Sequence, residues 1–164
     1  MNQTLGFILV FNRRYDQAKE QFEKALELDP NFFQAYWGLG AADLYKSQHQ
    51  SAIAAMEKAV QLSGRAPLFL ATLGEAYAAG GYSQEAQKIL DQLQDVAKDR
   101  YVTPYGLAHI HAALGKKEDA LHWLETAYRE HAVHMMCLKA DPRFDDLRPD
   151  PRFQNLLRRM NFPQ

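Results

Sequence analysis

Four alanines stand in register along the chain, Ala18, Ala52, Ala86 and Ala120, each 34 residues after the last. The same step links Leu5, Leu39, Leu73 and Leu107, and again Gly6, Gly40, Gly74 and Ala108. Four positions beyond each alanine stands a larger apolar residue, Phe22, Met56, Leu90 and Leu124; then come Ala25, Ala59, Leu93 and Ala127. Small residues at a fixed register belong where two helices cross, because a side chain there would hold the backbones apart. The large residues fill the space around the crossing. Each unit therefore reads as two helices joined by a tight turn. One such pair cannot bury its apolar stripe alone, so successive pairs stack and share a continuous core.

Turn chemistry falls in the same register. Asp29-Pro30-Asn31 and Ser63-Gly64-Arg65-Ala66-Pro67 close the first two units. Thr103-Pro104 reads as an N-cap followed by proline at the first helical position. Gly80-Gly81 and Leu114-Gly115 mark turns inside units three and four. These columns resemble the tetratricopeptide-repeat family over about residues 1–134. The resemblance implies an all-α fold, a right-handed superhelical stack of four helix pairs over residues 1–32, 33–66, 67–100 and 101–134, closed by a C-terminal cap over 135–164. Two departures carry expectations. Leu93 replaces a small residue and unit three lacks a closing proline, which predicts a less regular junction near residues 96–100. Asp43 stands where the family has an aromatic; since an unpaired buried carboxylate is costly, it is expected at a groove edge or paired.

The two ends read differently. By the repeat register Met1 already falls inside the first helix, which predicts a fragment of a longer protein. At the other end Asp141-Pro142-Arg143-Phe144 recurs as Asp150-Pro151-Arg152-Phe153, each Asp-Pro suited to open a helix. Phe153, Leu156, Leu157 and Met160 follow at i, i+3, i+4, i+7, one apolar face of a final helix lying over the last repeat. Residues 101–160, from Tyr101-Val102-Thr103-Pro104-Tyr105 through Leu138-Lys139-Ala140-Asp141-Pro142, resemble the tails of long bacterial signalling proteins. In those proteins such repeats follow a serine/threonine kinase or winged-helix DNA-binding domain. The likeness implies a docking or sensory module and transfers neither activity.

Several chemistries lack their residues. The sequence has no Gly-x-x-x-x-Gly-Lys-Ser/Thr, Gly-x-Ser-x-Gly or His-Glu-x-x-His. His131-x-x-His134-x-x-Cys137 is the one metal-like cluster, and it is short of the fourth ligand that zinc usually takes. His109 and His111, two apart on a helix, point to different faces. With 19 basic and 20 acidic residues, the net charge of −1 does not favour nucleic acid, and Arg152, Arg158 and Arg159 read as a solvated face. The apolar run 5–11 is far shorter than the ~20 residues that span a bilayer, and no basic residue precedes it. A single cysteine, Cys137, excludes an internal disulfide and favours a cytoplasmic setting. No cofactor, metal or catalytic group is expected.

In the family that the repeats resemble, the first helix of each pair lines a concave groove. This implies a ligand-facing set of Gln34, Trp37, Ala41, Leu44 and Tyr45, then Leu68, Ala71, Glu75 and Ala78, then Tyr105, His109 and Ala112. Trp37, Tyr45 and Tyr105 are residue types that anchor interfaces. The family's Lys, Asn and Arg clamp for a peptide C-terminus is absent from these positions, and Glu75 favours an apolar anchor accompanied by a basic residue. A protein- or peptide-binding scaffold is the leading expectation. Self-association through the open first unit is the alternative.

Overall fold

A computed structural model of the chain describes residues 2–161, so the expectation placed on Met1 lies outside the described residues. The fold is an all-α stack of four helix pairs with a C-terminal helix, and no strand occurs among the described residues. The pairs are α1 (Asn2–Phe11) with α2 (Tyr15–Leu28), α3 (Phe33–Tyr45) with α4 (His49–Leu62), α5 (Pro67–Ala79) with α6 (Ser83–Val96), and α7 (Pro104–Ala113) with α8 (Lys117–Arg129). Two 3₁₀ helices follow, η1 (Val133–Cys137) and η2 (Pro142–Leu147), and then α9 (Pro151–Arg159). No helix among the described residues is long and apolar enough to cross a membrane.

The turn inside each pair is built the same way. Arg13, Ser47, Gly81 and Gly115 are left-handed, with φ of 60°, 57°, 84° and 71°. The next N–H then reaches back five residues to the preceding helix: Arg14 to Leu9, Gln48 to Asp43, Tyr82 to Tyr77 and Lys116 to His111, at 2.8–2.9 Å. This is the Schellman bond, which satisfies a carbonyl that the helix end would leave orphaned. Two of the four left-handed residues are glycine, and the other two, Arg13 and Ser47, hold the conformation against the Cβ penalty.

The small columns lie at the helix crossings. Ala18, Ala52, Ala86 and Ala120 are all 0% exposed. A Cβ added to Gly40 would sit 2.6 Å from Met56 Cγ, and one added to Gly6 would sit 2.6 Å from the Phe22 ring. In the first two pairs the small column of the first helix thus receives the large column of its partner, as the repeat required; at Gly74 the space is taken by Ile89 and Ile110. Asp43 is buried and paired, with Lys19 Nζ and Ser51 Oγ both donating to its carboxylate. The α6–α7 junction spans 97–103, longer than the junctions 29–32 and 63–66, as the missing proline and Leu93 predicted. Thr103 occupies the N-cap of α7, yet its hydroxyl makes no capping bond.

Beyond α8 the chain turns back. Asp150 caps α9 by accepting from Arg152 N at 2.8 Å, and Phe153 and Leu156 bury their side chains with Leu121 and Leu124 of α8. Arg152 bonds Glu118 and Arg159 bonds Glu125, so those two arginines tie α9 to α8. Asp141 also caps, accepting from Arg143 N at 3.1 Å, but what it opens is the short η2 and not a second α-helix. Pro149 then lacks the N–H that would extend the helix, while Arg148 before it stays in the α region at φ −55° and ψ −37°. Residues 133–148 form a strap whose side chains reach the first helices of the pairs. Arg13 Nη2 bonds Asp145 Oδ2 at 3.1 Å, so the turn of the first pair touches the strap.

Candidate functional site

Six of the twelve groove residues converge. Trp37, Ala41, Leu44 and Tyr45 from α3, Glu75 from α5 and Tyr105 from α7 line one cavity of about 280 Å³. Phe7, Val10 and Phe11 of α1 close one side, and the strap closes the other with His134, Cys137 and Arg143. His109 and Ala112 border a neighbouring depression of about 250 Å³ that Leu44, Tyr45, Glu75 and Arg143 also line. The remaining four lie apart from both. Gln34 and Leu68 are half-buried, while Ala71 and Ala78 are core. Ala71 is held by close packing, its Cβ lying 2.8 Å from where a side chain on Gly106 would begin. Two larger depressions, between α4 and α6 and between α8 and α9, are lined largely by charged and amide side chains.

Aromatic rings shape the cavity. Trp37 stacks obliquely on Phe7 at 4.7 Å between centroids and meets Phe69 edge-on at 5.5 Å. Trp37 is thus half-buried, packed against the first pair and still part of the cavity wall. Tyr45 stacks on Tyr15 at 5.3 Å. Burial holds the Tyr45 phenol well above its ordinary pKa, so the hydroxyl is neutral.

An ionic cluster forms the strap side. Arg143 grips Asp141 with both edges of its fork, Nε to Oδ1 at 2.8 Å and Nη2 to Oδ2 at 2.6 Å, while Nη1 reaches Glu75 Oε2 at 3.4 Å. Tyr105 donates its hydroxyl to Asp141 Oδ2 at 2.7 Å, and His109 Nε2 lies 3.3 Å from the same oxygen. Asp141 is 0% exposed. Burial alone would push its carboxyl up; Arg143 and His109 more than offset this and hold it well below the usual carboxylate range. Burial, with the Asp141 charge adding to it, lifts the Tyr105 phenol far above its ordinary value. Tyr105 is only 2% exposed, so it serves chiefly as a strut under the strap. Glu75, read from sequence as awaiting a basic residue, already faces Arg143 and His109.

Sequence reasoning missed Arg143, Asp141 and Phe7 as parts of this site. The repeated Asp-Pro-Arg-Phe was the only signal of Asp141 and Arg143, and locally it spells a helix cap; Phe7 belongs to the apolar run 5–11. Of the metal-like trio, His131 stands apart in a left-handed turn with φ of 52°, whereas His134 and Cys137 line the cavity. Among the described residues no group of three or more His, Cys, Asp or Glu is disposed to hold a metal. Burial lowers the His134 pKa, with Arg143 and His109 adding to the effect, and raises that of the Cys137 thiol.

No curated protein matches the chain. Residues 5–67, which run from α1 to the first residue of α5, match the family model of the tetratricopeptide repeat, a repeat that generally mediates protein–protein interaction.

Proposed function

We propose that this chain is a non-enzymatic scaffold that binds a protein or peptide segment on its concave face, anchored in the cavity beside Trp37 and Tyr45. The cavity carries the reading: it is mostly apolar, ringed by aromatic side chains, and flanked by a few convergent polar groups. The strap covers Tyr105 and His109, so the anchor falls to Trp37, Ala41, Leu44 and Tyr45 with Phe7 and Phe11. Repeats of this family are typically non-enzymatic scaffolds, which supports the same reading. A role as a cytoplasmic regulatory module of a longer bacterial protein belongs to the proposal, resting on the likeness of residues 101–160 to signalling tails; the matched residues 5–67 do not extend there. Selection of a random peptide library on the immobilised protein tests the anchor. Enriched peptides should lose roughly tenfold or more in affinity on Trp37→Ala, and should fail to bind when Ala41→Phe fills the cavity. Peptides that bind both folded variants as they bind the parent would refute the site.

One observation favours a second reading, self-association. Leu5, Ile8 and Phe11 of α1 are 44%, 52% and 36% exposed and recur at every third position, an apolar strip without a covering helix among the described residues. Sedimentation equilibrium should then show a dimer that Ile8→Lys converts to monomer. A parent that stays monomeric at high concentration removes this reading.

A further inference from the structure

We infer that the cavity selects an uncharged occupant: a large aromatic or aliphatic side chain of a partner segment, with no charged group beside it. The inference rests on the reading of the cavity as the anchor site. Its walls are apolar apart from the strap side, and most polar groups there are already engaged. The Tyr105 hydroxyl is committed to Asp141, and the Thr72 hydroxyl to the Phe69 carbonyl at 2.9 Å. His134, its pKa lowered, is neutral at pH 7.

The ions at the cavity wall already oppose one another. Arg143 and Glu75 both line the cavity, with Arg143 Nη1 3.4 Å from Glu75 Oε2, and the fully buried Asp141 holds the other edge of the guanidinium. An ammonium entering the cavity would find Glu75 already paired and would meet the Arg143 guanidinium beside it. A carboxylate would meet a guanidinium whose charge two carboxylates already oppose, and would lose its hydration without gaining an uncompensated cation. A neutral group meets neither cost. Of the five N–H groups of Arg143, three are used within the cluster. The other two leave a place for a neutral oxygen, such as the backbone carbonyl beside the anchoring side chain, without adding charge.

Cys137 lines the cavity and is the only cysteine, so its alkylation by iodoacetamide reports occupancy directly. Three probes share one body and differ in charge: N-acetyl-phenylalaninamide, N-acetyl-phenylalanine as its carboxylate, and phenylalaninamide as its ammonium. The neutral probe should slow alkylation with half-effect on the order of millimolar, the range for so small a ligand. The charged probes should need roughly tenfold more. Ala41→Phe, which fills the cavity from α3, should abolish protection by the neutral probe. The alkylation rate of free N-acetyl-cysteine with each probe corrects for direct effects on the reagent. Protection by either charged probe equal to or better than that by the neutral one would overturn the inference and leave the cavity as the anchor site. No protection by any probe would sink the anchor reading itself, and the inference with it.

Discussion

Asp141 is the residue whose loss should unfasten the strap. Its carboxylate accepts three bonds from Arg143, counting the backbone N–H, and one from the Tyr105 hydroxyl, and it is fully buried. Asp141→Ala leaves a largely buried guanidinium and a buried phenol without their acceptor. Breaking a buried pair by removing one partner costs about 3–5 kcal/mol. Against the ~5–15 kcal/mol that holds a domain of ordinary stability, that is a large fraction. Asp141→Asn keeps the shape but removes the charge and turns one of the two acceptor oxygens into an amide donor; having no proton to titrate, it serves as the pH control. Because the folded pKa lies well below the ordinary 3.8, the contribution is complete above 3.8 and is lost as pH falls beneath it. The gap between parent and Asp141→Asn should therefore narrow below that value at up to about 1.4 kcal/mol per pH unit, the single-proton slope. Urea melts followed by fluorescence at neutral pH and through the acid limb measure both quantities, and carboxylates common to the two proteins cancel in the difference. A cost below about 1 kcal/mol for Asp141→Ala, or a gap that stays constant into strong acid, would refute the assignment of Asp141 as the anchor.

Four further outcomes follow from the helix pairs and their cap. Gly81→Ala should cost about 1 kcal/mol, all of it backbone, since an added Cβ meets nothing within 4 Å at φ of 84°; Ser47→Gly should gain roughly 0.5 kcal/mol once the looser unfolded chain is set against relief of the left-handed strain. Gly40→Leu should cost about 1–3 kcal/mol by overpacking against Met56 and the Ala52 carbonyl, read as a lowered melting temperature, and an unchanged value would displace the helix crossing from this column. Phe153→Ala should cost about 3–5 kcal/mol in a urea melt, because its ring is fully buried between α9 and the last pair.

The repeat was legible because crossing helices leave a covalent record. A backbone that approaches another closely admits only Gly or Ala, and the record recurs every 34 residues in Ala18, Ala52, Ala86 and Ala120. The turns were half legible. Gly81 and Gly115 announce a left-handed residue, while Arg13 and Ser47 hold the same geometry without the residue that advertises it. The site was legible only on the side that the repeat supplies. The resemblance to the repeat family assigns Trp37, Ala41, Leu44 and Tyr45 to one face, and the structure brings them together around one cavity. The other side comes from a segment outside the period, where Arg143 sits two residues from Asp141 in what locally reads as a cap. That Asp141 would be buried under Tyr105 and His109 depends on where the strap lands, which no local pattern encodes. For the same reason the exposure of Tyr105 could not be read: its column is ligand-facing only until another part of the chain lies over it.

The strap also changes how the stack holds its shape. In an open solenoid each pair contacts only its neighbours, so the first pair and the cap are coupled only through everything between them. Here one contact, Arg13 with Asp145, spans that distance, a second joins the cap to the third and fourth pairs, and the two are unequal. Arg13 and Asp145 have side chains 58% and 42% exposed, and a pair so open to solvent contributes about 0–1 kcal/mol. The Arg143 cluster joins η2 to α5 and α7 with its acceptor fully buried, and each bond there is both shielded and charge-assisted. Closure therefore depends on the third and fourth pairs far more than on the first. The cavity inherits that asymmetry: its strap wall and the Glu75 side are pinned by ionic bonds, whereas its α1 wall of Phe7, Val10 and Phe11 is held by apolar packing, chiefly against α2 and also against α3. On the proposed function, a segment entering the cavity would meet one wall pinned by ionic bonds and one held by packing alone. The α1 side would then adjust to the size of the bound side chain, while the Arg143 side selects an uncharged one.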